Sequence, residues 1–253
     1  MDPSSILIQQ ISEYVVRVTV DRPGALNAVD LDTAVELKTV MAKIASDKSI
    51  RAAVLTGAGA KAFVVGADRN ETSLHKGDEK RAHAFEQTCR DAFNIIAGMD
   101  KPVVCAINGY ALGLGVQLAL ACTFRIACDG ATFGLPEVTM GFFPSMGATQ
   151  RLTRLVGEAR AFEMILTGEP LSAQEAYRIG LVHRLVPLEH LLDTSEKLAA
   201  SLSQKSPVAM RLAMRAIRRA HDVTLAEGLA YEAELSEECL HVSPDEDGAF
   251  GLK

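Results

Sequence analysis

Three polar side chains stand within apolar, glycine-marked runs of this 253-residue chain, and chemistry is expected at these positions. The runs read FVVGAD, GYALGLGVQLALAC and FGLPEVTMGFFP, and the three side chains are their carboxylate and amide members, Asp68, Gln117 and Glu137. A desolvated carboxylate can accept and return a proton, whereas an amide can hold water or a carbonyl but does not exchange protons near neutral pH. Glu137 is therefore the predicted proton-transfer group and Gln117 a predicted positioning group.

Each of these side chains also has a purely structural interpretation. Phe142 and Phe143 follow Glu137 closely, and desolvation by such side chains would raise the pKa of its carboxyl group toward a useful range. Alternatively, Glu137 forms an ion pair with an arginine such as Arg151, and Gln117 caps a turn or satisfies a buried backbone group. For Asp68 the structural role is favoured, because an Asp at such a turn commonly acts as a cap.

The sequence lacks the common nucleotide, nucleophile and metal motifs. The glycines of GYALGLG miss the G-x-G-x-x-G spacing, because Leu118 stands three residues beyond Gly115. In FPSMG, Phe143 occupies the position where G-x-S-x-G requires glycine, so Ser145 is predicted to be a turn residue. The six histidines form no HExxH motif and have no partner carboxylate at ligand spacing, so no metal is predicted.

Hydrophobic periodicity predicts an α/β fold. Up to about residue 140, buried strands alternate with turns and helices, which favours a layered or spiral arrangement. The polar run from Arg69 to Lys80 is predicted to be a loop that could close over a site. From Ser145 onward the pattern is helical, apart from a brief strand before Pro187, and no linker separates the two regions.

Composition narrows the class of protein. The formal net charge of −6 provides no chain-wide basic field for nucleic acid, and the basic run RLAMRAIRRAH is predicted to be a solvated helix face. Five cysteines without a CxxC pair indicate free thiols in a reducing compartment. No apolar run reaches membrane-spanning length and no leader is evident, so a cytoplasmic protein without membrane partners is expected.

The motifs taken together resemble those of the crotonase family, which contains enoyl-CoA hydratases and isomerases. The resemblance extends through DRPGALNA, ATQRLTRLVG, LTGEPLSAQEAYRIGLVHRLVP and the closing DGAFGLK, in the family's order and spacing. It implies a crotonase-like ββα spiral core with an acyl-CoA site over residues 1–190, and a C-terminal helical trimerisation region over residues 191–253. The implied assembly is a homotrimer or a dimer of trimers.

The resemblance also implies a reaction. Backbone N–H groups of Ala67 and Leu114 would form an oxyanion hole for the thioester carbonyl of an acyl-CoA, and coenzyme A would be part of the substrate, with no separate cofactor. Family hydratases use two glutamates, and the corresponding positions here are Gln117 and Glu137. With one carboxyl group left, the preferred reaction is isomerisation of a 3-enoyl-CoA to a 2-enoyl-CoA. Alternatives are hydration, other enolate chemistry, and a non-catalytic member that binds acyl-CoA or RNA.

Substrate contacts are implied at further positions. The ALNA turn would meet the adenine, and residues near the C-terminus would reach the nucleotide bound to a neighbouring subunit. The implied substrate-binding residues are Ala25, Leu26, Gly66, Asp68, Tyr110, Leu112, Gly113, Pro136, Phe250 and Lys253.

Overall fold

The computed structural model describes residues 4–68, 71 and 78–241. Within these residues ten strands are found: β1 Ile6–Ser12, β2 Val15–Val20, β3 Ala52–Gly57, β4 Ala62–Val64, β5 Val103–Ile107, β6 Tyr110–Leu112, β7 Phe124–Cys128, β8 Thr132–Gly134, β9 Leu171–Ser172 and β10 Arg184–Val186. The α-helices of the same residues are α1 Leu31–Ser46, α2 Glu79–Gly98, α3 Leu114–Ala121, α4 Ala148–Val156, α5 Glu158–Thr167, α6 Ala173–Arg178, α7 Leu188–Ser203, α8 Pro207–Arg219 and α9 Leu225–Leu240. The predicted α/β class is confirmed.

The larger sheet has the strand order β1-β2-β3-β5-β7-β10. Strands β1 and β2 pair antiparallel, and the remaining pairs are parallel. All six residues of β3 and all five of β5 are buried, as expected for strands covered on both faces. Helix α1 packs against α2, and α7 packs against β2, β3, β5 and β7, so this sheet forms the centre of the core.

A second, smaller sheet positions the glycine-marked turns. Its order is β4-β6-β8-β9, with short parallel pairs from β4 to β8. The residues that follow β4, β6 and β8 are therefore brought to one edge, because parallel strands end at the same side of a sheet. Periodicity alone missed β6 and β9, since three and two residues are too few to show alternation.

The predicted helical region begins where expected, but its helices pack differently from one another. Helix α7 lies on the large sheet, whereas α8 and α9 share a small apolar cluster made of Val208, Leu212 and Leu235. The predicted division at residue 190 stays a prediction. No helix among the described residues is long and apolar enough to cross a membrane.

The arginines of the basic run lie on a partly exposed helix face, in keeping with the prediction, and they also contact groups on other elements. Arg215 pairs with Asp100 at 2.9 Å, and Arg218 donates to the Met99 carbonyl at 2.9 Å. Arg211 pairs with Glu238 at 3.2 Å, and the Arg219 guanidinium stacks over the ring of Tyr231. Periodicity gave the helix but could not show that acidic partners lie on other elements.

Asn27 ties the loop after β2 to the turn before β4. This side chain is fully buried and its residue has a left-handed φ of 59°, a conformation that Asn tolerates better than most residues. Its Nδ2 donates to the carbonyls of Ala58 and Ala62, and its Oδ1 accepts from the Arg22 N–H. A single amide therefore fixes the loop that carries Ala25 and Leu26.

Replacing this amide should destabilise the fold. We expect Asn27→Ala to lower the free energy of unfolding by about 2–3 kcal/mol, because three backbone groups lose a partner and Ala disfavours positive φ. Urea titration followed by circular dichroism measures the change. Gln87→Ala is the matched control, because its amide bonds Asp91 on an exposed face of α2. Equal stability of both variants would contradict the assignment.

Candidate active site

Two glycines of the GLG sequence are required by backbone geometry at the start of α3. Gly113 has φ 53° and ψ −113°, which side chains rarely adopt. A Cβ on Gly115 would lie 2.0 Å from the Val64 carbonyl oxygen, so α3 begins in direct contact with β4. Leu114 between them is buried and is the first residue of the helix, so its N–H has no partner within the helix.

A second turn, Gly66–Ala67, lies beside the first. The Val29 N–H donates to the Gly66 carbonyl at 2.9 Å, and the Asp68 N–H donates to the Val29 carbonyl at 2.7 Å. Because successive N–H groups of an extended chain point to opposite sides, the Ala67 N–H is directed away from Val29. A Cβ on Gly113 would lie 3.7 Å from the Gly66 Cα, so the two turns are adjacent.

The two turns border a cavity of about 270 Å³. Seven of the predicted site residues line it: Gly66, Ala67, Gly113, Leu114, Gln117, Pro136 and Glu137. The other lining residues are Val65, Phe85, Glu86, Met140, Phe142, Phe143, Ser145 and Met146. Sequence reasoning missed Phe85 and Met146 as lining residues, because α2 and the segment after Glu137 meet here only through tertiary packing. Among the described residues no cluster of His, Cys, Asp and Glu side chains could hold a metal ion.

Glu137 projects from a 3-10 turn, Pro136–Met140, into this cavity. Its Oε1 accepts a 2.9 Å hydrogen bond from Gln117 Nε2 and would lie 3.2 Å from a Cβ on Gly113. Its Oε2 is buried and has no hydrogen-bond partner in the described part of the chain. Burial raises the pKa of Glu137 above its ordinary value, against the lowering effect of backbone and Gln117 hydrogen bonds.

Gln117 uses both ends of its amide. Besides donating to Glu137, it accepts through Oε1 from the Met146 N–H at 2.8 Å. Flipping the amide would place its NH₂ group against the Met146 N–H donor, so these two partners fix its orientation. The predicted positioning role and the structural alternative are both realised here, because Gln117 satisfies a buried backbone group and holds Glu137.

Arg151 contacts residues next to the site but does not contact Glu137. The predicted alternative of a Glu137–Arg151 ion pair is therefore wrong. Its Nη1 donates to the Met146 carbonyl at 2.9 Å, and its Nη2 donates to Asn94 Oδ1 at 2.7 Å. The Met146 peptide is therefore held at its carbonyl by Arg151 and at its N–H by Gln117. This chain of contacts gives Glu137 a fixed orientation without a positive charge beside it.

Three predicted substrate-binding residues lie outside the cavity lining. Asp68 pairs with Arg22 at 3.1 Å, and its predicted role as a turn cap stays a prediction because most of the following segment lies outside the described residues. Tyr110 is half-exposed at the start of β6. Leu112 is partly buried behind the turns, where its carbonyl oxygen would lie 3.6 Å from a Cβ on Gly66.

Two further predicted contacts, Ala25 and Leu26, also lie outside this cavity lining. Ala25 and Leu26 belong to the loop after β2, and Leu26 lines a separate cavity of about 310 Å³ together with residues 58–62. This places the ALNA turn beside the glycine-rich GAGAK sequence, which the sequence alone did not connect with it. Phe250 and Lys253 lie outside the described residues, so their role stays a prediction.

Comparison with known proteins decides the family. The family model described as Enoyl-CoA hydratase/isomerase matches residues 10–250. The chain belongs to the enoyl-CoA hydratase/isomerase family, the crotonases. The family predicted from the glycine-marked motifs is thus confirmed, and the protein is an enzyme of this family.

Individual crotonases resemble this one over almost their whole length. The chain is 38% identical to the short-chain-enoyl-CoA hydratase of Clostridium acetobutylicum, covering 98% of this chain and 94% of the relative. It is also 38% identical to the 2,3-dehydroadipyl-CoA hydratase of Escherichia coli, covering 91% and 89%. The crystal structure of enoyl-CoA hydratase from Bacillus anthracis superposes with a TM-score of 0.90 at 36% identity, covering 95% and 93%. All three are named hydratases.

The buried carboxyl group has a measurable cost in stability. Above its raised pKa, Glu137 is ionised in the cavity, whereas below its ordinary pKa it is neutral in both folded and unfolded chains. We therefore expect Glu137→Gln to be more stable than the wild type by about 1 kcal/mol at neutral pH. This difference should shrink as the pH falls through the interval between the raised and the ordinary pKa.

Urea unfolding across that pH range measures the difference. Glu86→Gln is the control, because it changes another carboxylate of the same cavity, which water reaches more easily. A gain from Glu137→Gln that does not depend on pH would contradict a raised pKa.

Proposed function

We propose that this enzyme binds an acyl-CoA thioester and moves the double bond of a 3-enoyl-CoA to give a 2-enoyl-CoA. The proposal rests on the hydrogen bonds made by Glu137 and Gln117, the residues at the two proposed acid–base positions. Glu137 is a desolvated carboxyl group with one oxygen held by Gln117 and one without a partner among the described residues. Gln117 has both ends of its amide engaged and, as an amide, cannot exchange protons.

The reaction requires one base and one anion site. Glu137 removes a proton from C2, the electron pair of the broken C–H bond delocalises through the C3–C4 double bond and the thioester carbonyl, and a dienolate forms. The same carboxyl group then returns the proton to C4, which leaves the double bond between C2 and C3. No external acid, base or oxidant is needed.

The two adjacent turns would hold the negative oxygen of the dienolate. Backbone N–H groups of Ala67 and Leu114 are the proposed donors, and the N-terminus of α3 adds the positive end of its dipole. Such donors stabilise the enolate more than the ground-state carbonyl, because charge on the oxygen grows as the proton leaves. In this arrangement Gly113 keeps the donors and the carboxyl group of Glu137 close together.

Hydration is the second candidate, and the names of the relatives favour it. Adding water across a 2-enoyl-CoA requires activation of water and protonation of C2. These two tasks are poorly served when one of the two family carboxylates is an amide that is bonded at both ends. Glu86 also lines the cavity, but its carboxylate is directed toward Arg90 and is partly exposed.

A substrate panel with three variants tests the proposal. The purified chain should convert 3-enoyl-CoA to 2-enoyl-CoA faster than it hydrates 2-enoyl-CoA, as measured by chromatography of the thioesters. Glu137→Gln should reduce isomerisation by about 10²–10⁴-fold, because the proton-transfer group is lost. Glu86→Gln should keep the activity within about twofold.

Gln117→Glu sharpens the comparison between the two candidates. It restores the second carboxylate, so hydration should rise while isomerisation falls, because the new negative charge raises the pKa of Glu137 further. Rapid hydration by the wild type that Gln117→Ala abolishes would overturn the isomerase proposal in favour of hydration.

We also propose that the protein assembles as a homotrimer or a dimer of trimers through α8 and α9. Large apolar side chains are exposed there, with Leu225 at 79% and Leu240 at 81% exposure. Such concentrations of exposed leucine are typical of contact surfaces. A neighbouring copy of this chain is the proposed occupant, since a ring-shaped trimer repeats one contact between neighbours around its axis.

Light scattering coupled to gel filtration tests this assembly. Leu225→Glu combined with Leu229→Glu should yield a smaller species than the wild type, because charges placed in an apolar interface are costly. Lys197→Glu, a charge change on the exposed side of α7, should leave the mass unchanged. A monomeric wild type would contradict the proposal.

A further inference from the structure

A second large cavity lies at the amino ends of β3 and β5, and it shares no lining residue with the catalytic cavity. Its volume is about 420 Å³, within the range of small-molecule sites. Three segments form it: residues 45–51 at the end of α1 and just beyond it, residues 100–102 before β5, and residues 202–211 at the junction of α7 and α8. Tertiary packing alone brings these segments together.

Positive charge is concentrated in this cavity, although the chain as a whole is acidic. The five cationic residues in its lining are Lys48, Arg51, Lys101, Lys205 and Arg211. Asp100 is the acidic residue of the lining, and Arg215 already pairs with it at 2.9 Å. The lining therefore carries an excess of positive charge in a chain whose formal net charge is −6.

Neighbouring groups only partly neutralise these cations. Lys101 donates to the carbonyls of Ile44 and Asp47 at the end of α1, and burial lowers the pKa of its ammonium group. Arg51 stacks over the ring of Tyr14, which leaves its charge in place. Within the described residues no ion pair involves Lys48 or Lys205.

Arg211 and helix α8 add positive potential at the cavity. Arg211 Nε is buried and has no hydrogen-bond acceptor in the described part of the chain, although the same guanidinium reaches Glu238 through Nη2. The first turn of the 13-residue helix α8 also lines the cavity, so the positive end of its dipole lies there. Cationic side chains beside a helix N-terminus suit an oxyanion.

We propose that this cavity binds an organic diphosphate. Its charged groups would be held by Lys48, Lys205 and Arg211, and apolar side chains of the same lining, Ile50 and Leu202, would contact its organic part. A single phosphate would leave most of this volume unfilled. The site is independent of the proton-transfer chemistry, so the proposal stands or falls separately from the isomerase assignment.

Calorimetric titration of the full chain with ADP and with inorganic pyrophosphate tests the site. We expect saturable binding of both, weakened by added salt because the contacts are ionic. The double variant Lys48→Ala and Lys205→Ala should raise the Kd of both probes at least about tenfold. Its melting temperature should match that of the wild type, because both side chains are exposed.

The double variant Arg178→Ala and Arg184→Ala is the matched control, since it removes two positive charges outside this cavity. It should change the Kd by no more than about twofold. If both double variants weakened probe binding equally, the effect would come from the general charge of the protein. That result would overturn the proposal. The absence of saturable ADP binding, or an ADP Kd that Lys48→Ala and Lys205→Ala leave unchanged, would also overturn it.

Discussion

The hydrogen bond from the Gln117 amide to the Glu137 carboxyl group connects a helix and a 3-10 turn, and the geometry of the site depends on it. The amide gives a hydrogen bond to only one of the two carboxyl oxygens of Glu137. Burial already raises the pKa of this carboxyl group. A charged partner such as arginine would stabilise the carboxylate and make it a poor base. A neutral donor fixes its direction and lowers its pKa without cancelling the effect of burial, so the pKa stays raised.

That hydrogen bond acts in the right place because the surrounding backbone is constrained. Gly113 and Gly115 allow α3 to begin against β4, and the short parallel strands of the small sheet bring the Gly66–Ala67 turn alongside. The same contacts bring the carboxyl group of Glu137 within reach of Gly113. Glu137 and the two glycine-marked turns are thus positioned by secondary structure, which holds side chains and backbone more tightly than free loops do.

Most of the fold was predictable because its elements are long or strongly patterned. The alternation of buried strands with helices and the helical C-terminal region were both predicted from local sequence. The small sheet was harder, because β6 and β9 are shorter than one period of a reliable pattern. The contacts of the basic helix α8 with Asp100 and Glu238 were also hidden, because their partners are distant in the chain.

The sequence by itself determined the family and the identities of the groups at the acid–base positions, because residue types and their spacing are local properties. The sequence also supplies glycine at position 113, where the backbone turn requires it because only glycine suits the φ and ψ found there. Only the tertiary structure decided what each side chain touches. In the structure Asp68 forms an ion pair with Arg22. Arg151 donates to the Met146 carbonyl and does not pair with Glu137, while Gln117 accepts from the Met146 N–H. The physical reason is that burial and hydrogen-bond partners come from segments far apart in sequence, and no local pattern encodes their distances.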